Sequence, residues 1–250
     1  MFLFFLFFPH FLTFVSILAL FFSNIPFFIF SYRFAIRNNV DVVSVTECFL
    51  DLNFVVDSSS SINFKGPTNW DTTLQFVANV TRQFTIGPEN VQVAFVLFSE
   101  VATVEWGLTQ YQDQTNLTNA ILNVRYLAQS TNLNDALYLT RTQVFAPGRG
   151  TRPGAIKATL ILTDGEDNVP EEGTAWTIEN ATLCKNDNIR LIAIGVSNLV
   201  DRQRLQRIVS SPSDYYAVDD FNALSSIVNK LRPHFCVVTP APAISKAFSF

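Results

Sequence analysis

The sequence predicts an α/β fold: a doubly wound, mostly parallel central sheet with one short antiparallel edge strand and helices on both faces. Three observations predict it. Strand-like apolar runs alternate with helix-period segments from about residue 51 to residue 231, the order that builds a parallel sheet covered on both sides. Two of the runs, Val91–Phe98 and Ile189–Val196, are almost continuously apolar, as strands buried on both faces are. The link before Val101–Trp106 is only a few residues long. That is too short for a parallel crossover, so this strand pairs antiparallel and forms an edge.

In chain order, Leu52–Val56 is the first strand. Asn69–Phe84 carries Trp70, Leu74, Val77, Ala78, Val80 and Phe84 at three- and four-residue spacings, a helix pattern, and Gly87-Pro88 breaks it. Val91–Phe98 is a central strand and Val101–Trp106 the edge strand. Asn116–Val124 reads as a short helix, and Asn134–Phe145 as another with Ala136, Leu137, Leu139 and Val144 packing inward. Pro147–Gly154 is a surface loop whose Arg149 and Arg152 are expected to be solvated. Ala158–Thr163 is a strand that ends at Asp164-Gly165. Thr174–Lys185 is helical, and Ile189–Val196 is the next buried strand. Asp201–Val209 and Phe221–Leu231 are helices flanking a short strand near Tyr215–Val218. Trp70 and Trp176 are read as packing residues, while Trp106 is as readily buried as exposed.

Composition divides the chain. Thirteen of its 25 phenylalanines fall in residues 1–34, and residues 1–32 contain no Lys, Arg, Asp or Glu. The segment 1–32 is a hydrophobic signal peptide or anchor, residues 33–47 are a tether, residues 48–236 the folded domain, and residues 237–250 a Pro/Ala-rich tail. Arg33 and Arg37 follow the apolar segment, which would place the domain in the cytoplasm if residues 2–30 stayed as an anchor. Sequons at Asn79, Asn116 and Asn180 argue for export instead. A mis-assigned start is a third reading. The expectation is a secreted, extracellular protein whose signal is cleaved between about residue 20 and residue 32. A net charge of -4, 15% charged residues and no basic cluster argue against nucleic-acid binding.

The three cysteines include no CxxC, and the only histidines are His10 and His234, which argues against a thiolate-histidine zinc site. Cys48 and Cys236 bracket the domain and could pair if its ends lie together. Cys184 reads as a buried free thiol on a helix.

The chemistry centres on Asp57-Ser58-Ser59-Ser60-Ser61, directly after the first strand. Ligands bind at the carboxyl ends of strands in open α/β sheets. Asp57, Ser59 and Ser61 alternate, so a loop can turn a carboxylate and two hydroxyls toward one point. These hard oxygen donors suit Mg²⁺ or Mn²⁺. Asp164 ends its strand as Asp57 ends the first, and Thr131 precedes the helix near Asn134. The metal set is therefore Asp57, Ser59, Ser61 and Thr131, with Asp164 direct or through water. Ser58 and Ser60 are given no metal role, and Glu166 and Asp167 only acidify the rim.

Asp57-Xaa-Ser59-Xaa-Ser61, Thr131 in Ser130-Thr131-Asn132 and Asp164 in Leu162-Thr163-Asp164-Gly165 resemble the metal-ion-dependent adhesion site of von Willebrand factor type A domains. Ile86–Val93, Phe145–Lys157 and Ile192–Val196 resemble the matrilin and collagen branch. The resemblance runs from Cys48 to Cys236. It implies a divalent cation, usually Mg²⁺, and an extracellular protein partner such as a collagen or other matrix or surface glycoprotein, an acidic group of which completes the metal shell. Relatives often carry glycine where this chain has Ser60, and a Gly-Gly pair where it has Ala128-Gln129-Ser130. Two other classes compete. One is a structural matrix component with a vestigial metal site. The other is a Mg²⁺-dependent hydrolase, which the lack of a histidine in the core, a P-loop or a nucleophile elbow argues against.

Overall fold

Six strands form one sheet: β1 (Leu50–Asp57), β2 (Val91–Phe98), β3 (Ala102–Trp106), β4 (Ile156–Thr163), β5 (Ile189–Val196) and β6 (Tyr215–Val218), in the order β3-β2-β1-β4-β5-β6. The computed structural model describes residues 48–64, 66–165, 171–197 and 200–236. The segment 1–32, the tether 33–47, the tail 237–250, and Glu166 and Asp167 lie outside the described residues. β1 pairs parallel with β2 and β4, β4 with β5, and β5 with β6. β3 runs antiparallel to β2 at the sheet edge, as its short link requires.

Seven α-helices are described: α1 (Ser61–Phe64), α2 (Asn69–Thr81), α3 (Gln114–Leu122), α4 (Leu133–Leu139), α5 (Glu171–Asn186), α6 (Arg202–Ile208) and α7 (Val228–Phe235). Successive strand residues face opposite ways, so each strand feeds two cores. Leu52, Phe54 and Val56 of β1 pack with Leu74 and Val77 of α2, Ile121 of α3 and Leu231 of α7. Val55, between them, packs on the other face with Leu137 of α4, Cys184 of α5 and Leu205 of α6. Both faces are covered, which is why β1 and β2 are buried along their whole length.

Two segments read as single helices change type. α4 stops at Leu139 and continues as a π-helical turn, Thr140–Val144. Thr140 Oγ1 donates to Ala136 O and accepts from Asn53 Nδ2 of β1, and such a side-chain insertion widens the turn. Phe221–Ile227 is a 3₁₀ stretch that leads into α7.

Two side-chain expectations are corrected. Arg152 is not solvated: its Nε donates to Asp51 Oδ1 at 2.8 Å, and its backbone N–H donates to Asp51 Oδ2 at 2.9 Å. The same guanidinium bonds the carbonyls of Leu50 and Asn90 and lies 4.3 Å from the centre of the Phe49 ring. Asp51 is fully buried, so a partner cation is what makes its charge tolerable there. Arg149 in the same loop is exposed. Trp176 is 55% exposed, whereas Trp70 is buried with its Nε1 donating to Val124 O. The inward stripe of α5 runs Gly173, Thr177, Ala181 and Cys184, and Trp176 lies one residue off it. Trp106 is buried against Phe95 and Tyr111.

Cys48 and Cys236 are disulfide-bonded, with their Cα atoms 4.9 Å apart, so the ends of the domain meet. Cys184 is a buried free thiol, as expected, and burial pushes it up to about 12. Of the sequon asparagines, Asn116 is exposed. Asn79 accepts from Arg82, and Asn180 donates to Asn134.

Candidate metal centre

Chain order reverses at β1: the chain goes first to β2 on one side and later to β4 on the other. The crevice beyond the carboxyl ends of β1 and β4 is thus the switch point of the sheet. Asp57 is the last residue of β1, and Asp164 follows the last residue of β4. Asp57 is fully buried. Its Oδ1 accepts from the Ser59 N–H at 2.8 Å, and its Oδ2 accepts from Thr163 Oγ1 at 2.6 Å. Ser59 Oγ and Ser61 Oγ lie 3.0 Å apart, and Ser61 Oγ–H donates to Asp164 Oδ1 at 2.7 Å. Ser61 Oγ and Thr131 Oγ1 stand 3.4 and 4.0 Å from the point where a β-carbon on Gly165 would lie. A β-carbon there would be in van der Waals contact with both hydroxyls. All five residues singled out in the sequence therefore meet at one end of the sheet.

Burial is the largest influence on the Asp57 carboxyl and pushes it up to about 7. The hydrogen bonds from Thr163 and Ser59 pull the other way, and the neighbouring Asp164 charge adds to the rise. A carboxyl so placed gains from any positive charge in the crevice.

Among the described residues no three His, Cys, Asp or Glu stand together. The oxygens gathered here belong to two carboxylates and three hydroxyls, the ligand chemistry that hard, oxygen-preferring cations favour. Arg204, 7% exposed, lines a small pocket together with Thr131, Thr163 and Gly165, and donates to Thr177 Oγ1. The Asp201 carboxylate lines the same pocket, so the charge there is mixed.

The loops carrying the donors are bonded to each other. Leu127 N–H donates to Ser58 Oγ, Ala128 N–H to Ser58 O, and Ser60 N–H to Gln129 O. Ser58 is accordingly buried and structural, and Ser60 is exposed. Ala128 takes φ +58°, the left-handed conformation that glycine adopts most easily. Three contributors were not picked out in the sequence. Thr163 follows Leu162, which pairs with Val56, so it falls opposite Asp57. Ser99 follows Phe98, the register partner of Asp57. Tyr126 donates through its hydroxyl to Ser59 O. Strand register could have flagged the first two, whereas nothing local marks Tyr126.

The family profile of the von Willebrand factor type A domain matches residues 51–230. The collagen alpha-1(XII) chain of Notophthalmus viridescens is 31% identical over 201 residues, 79% of this chain and 20% of that one. Matrilin-1 of Gallus gallus is 27% identical over 190 residues, 75% of this chain and 36% of its own. Among solved structures, proximal thread matrix protein 1 from the mussel byssus superposes with a TM-score of 0.69 and 28% identity, over 78% of this chain and 49% of that chain. A further structure of that byssus protein has a zinc-occupied MIDAS motif, with a TM-score of 0.68 and 29% identity over 75% of this chain and 46% of that chain. The chain thus spans half or less of the length of each of these proteins.

Proposed function

The chain belongs to the von Willebrand factor type A domain family, and from that premise we propose that it is a protein-interaction domain of the extracellular matrix, a structural component that holds other matrix proteins. The observation that carries this is the fold shared with the byssus matrix protein over 78% of the chain. The collagen and matrilin relatives support it, and the Cys48–Cys236 disulfide suits an oxidising compartment. We read the domain as non-catalytic and the protein as secreted. Residues 1–32 would be its signal or anchor, 33–47 a tether and 237–250 a tail. Among the described residues no helix is long and apolar enough to cross a membrane.

A second reading adds a metal, and the convergence of oxygens at the ends of β1 and β4 favours it. Asp57, Ser59, Ser61 and Thr131 would hold Mg²⁺ or Mn²⁺, with Asp164 direct or through water. The bound ion would supply a positive centre for an acidic group of a partner. The chain's own part is to present preset hydroxyls and to keep Asp57 out of bulk water until a cation offsets its charge.

The test is binding of the full chain to immobilised collagens and matrix glycoproteins in Mg²⁺, in Mn²⁺ and in chelator. Binding that persists in chelator supports the structural reading. Binding lost both in chelator and in Asp57→Ala supports the metal-dependent one. No binding to any matrix protein under any condition would sink the proposal.

A further inference from the structure

The crevice is made by two loops from distant parts of the chain, and their mutual register is fixed by a few side chains that donate nothing to the crevice itself. Ser99, fully buried at the end of β2, is bonded on both sides. Its Oγ accepts from Gln129 N–H at 3.1 Å and donates to Ser130 O at 2.9 Å. Thr131 is the next residue. Tyr126 Oη donates to Ser59 O at 2.8 Å and accepts from Asn63 N–H at 3.3 Å, so it grips both ends of the segment carrying Ser59 and Ser61. Its ring stacks on Trp70 with centroids 5.5 Å apart, which anchors it to α2. Between these two grips, Ala128 is held at φ +58°, and Ser59 and Gln129 form an isolated parallel bridge. A non-glycine residue stays in that conformation only where its surroundings over-determine it.

We propose that Ser99 and Tyr126 are positioning residues for the metal site, Ser99 setting Thr131 and Tyr126 setting Ser59 and Ser61. This rests on the metal-dependent reading above. Each acts through the backbone of a donor loop and not on the ion. Gln129 and Ser130 are exposed, so water can replace the lost Ser99 bonds without unfolding the domain. What is lost is the placement of the hydroxyls, and side chains that orient metal ligands typically govern affinity by about 10-fold or more.

The test is Mn²⁺ titration of the full chain, by calorimetry and by the electron paramagnetic resonance of free Mn²⁺, for the parent, Ser99→Ala, Ser99→Thr, Tyr126→Phe and Asp57→Ala. Thermal unfolding in chelator reports the fold of each. The expected result is Mn²⁺ binding about 10-fold weaker in Ser99→Ala and in Tyr126→Phe, with metal-free unfolding little changed and affinity partly restored in Ser99→Thr. Parental affinity in both Ser99→Ala and Tyr126→Phe overturns the inference while leaving the metal reading intact. If the parent binds no better than Asp57→Ala, the metal reading itself fails and this inference falls with it.

Discussion

Asp57 couples the crevice to stability. An unperturbed carboxyl titrates near 3.8, and burial moves this one to about 7. As pH rises between those values the unfolded chain loses its proton while the folded one keeps it. The contribution is therefore fully present below about pH 4 and is lost as pH rises through 7, a change on the order of 4 kcal/mol. In chelator, Asp57→Asn is expected to match the parent near pH 4 and to exceed its stability at pH 8. Denaturant melts at both pH values check this, and equal stability at pH 8 contradicts it. Ala128 is strained in its backbone, as one of three non-glycine residues at positive φ among the described residues. Its left-handed backbone costs ~1–2 kcal/mol, and glycine would return part of that as unfolded-state freedom. Ala128→Gly is expected to stabilise the domain by about 1 kcal/mol in urea denaturation. The convergence of these side chains was legible because Asp57, Ser59 and Ser61 lie within five positions after an apolar run, and Asp164 repeats the pattern at another strand end. The strain at Ala128 shows in the sequence only as a departure from the glycines that relatives often carry there, since the φ value itself is set by bonds to Ser58 some 70 positions earlier.

At the level of elements, the strands were the easiest to read. Val91–Phe98 and Ile189–Val196 have the observed limits, because burial on both faces leaves an unbroken apolar signature. Helix phase was harder. α5 has Gly173, Thr177 and Ala181 inward, small residues that carry little hydrophobic signal, so an outward tryptophan resembled a core residue. The two tryptophans should separate in equilibrium denaturation. Trp70→Ala should cost ~3–5 kcal/mol and Trp176→Ala no more than about 0.5 kcal/mol. Similar losses at both positions would contradict the phase of α5. The π turn after α4 was also beyond local reading, because Thr140 is fixed by Asn53, 87 positions away.

Across the whole molecule, distant segments are joined at the end of the sheet opposite the crevice. Arg152 bonds Asp51 and the carbonyls of Leu50 and Asn90, so one guanidinium gathers the starts of β1 and β2 and the loop before β4. Its side chain is 13% exposed and that of Asp51 is 0% exposed. Arg152→Ala strands a buried carboxylate and is expected to destabilise by ~3–5 kcal/mol. A loss under about 1 kcal/mol in urea denaturation would mean the pair is solvent-screened. Sequence alone hid this contact, since its partners are 101 positions apart and a Gly/Pro-rich loop looks solvated.

The closure of the domain by Cys48 and Cys236 also has a mechanical meaning. Tension applied through the flanking segments enters at one sulfur and leaves at the other, so the load path runs through a covalent bond and the sheet carries none of it. Pulled by its ends in an optical trap, the oxidised chain should lengthen without releasing the 188-residue separation between the two cysteines. Under reductant the same pull should unfold the domain and add on the order of 650 Å of contour. An unfolding step of that size in the oxidised chain would show that the bond does not bear the load. A domain wired in this way stays folded while its surroundings stretch, so its surface remains available for binding under strain.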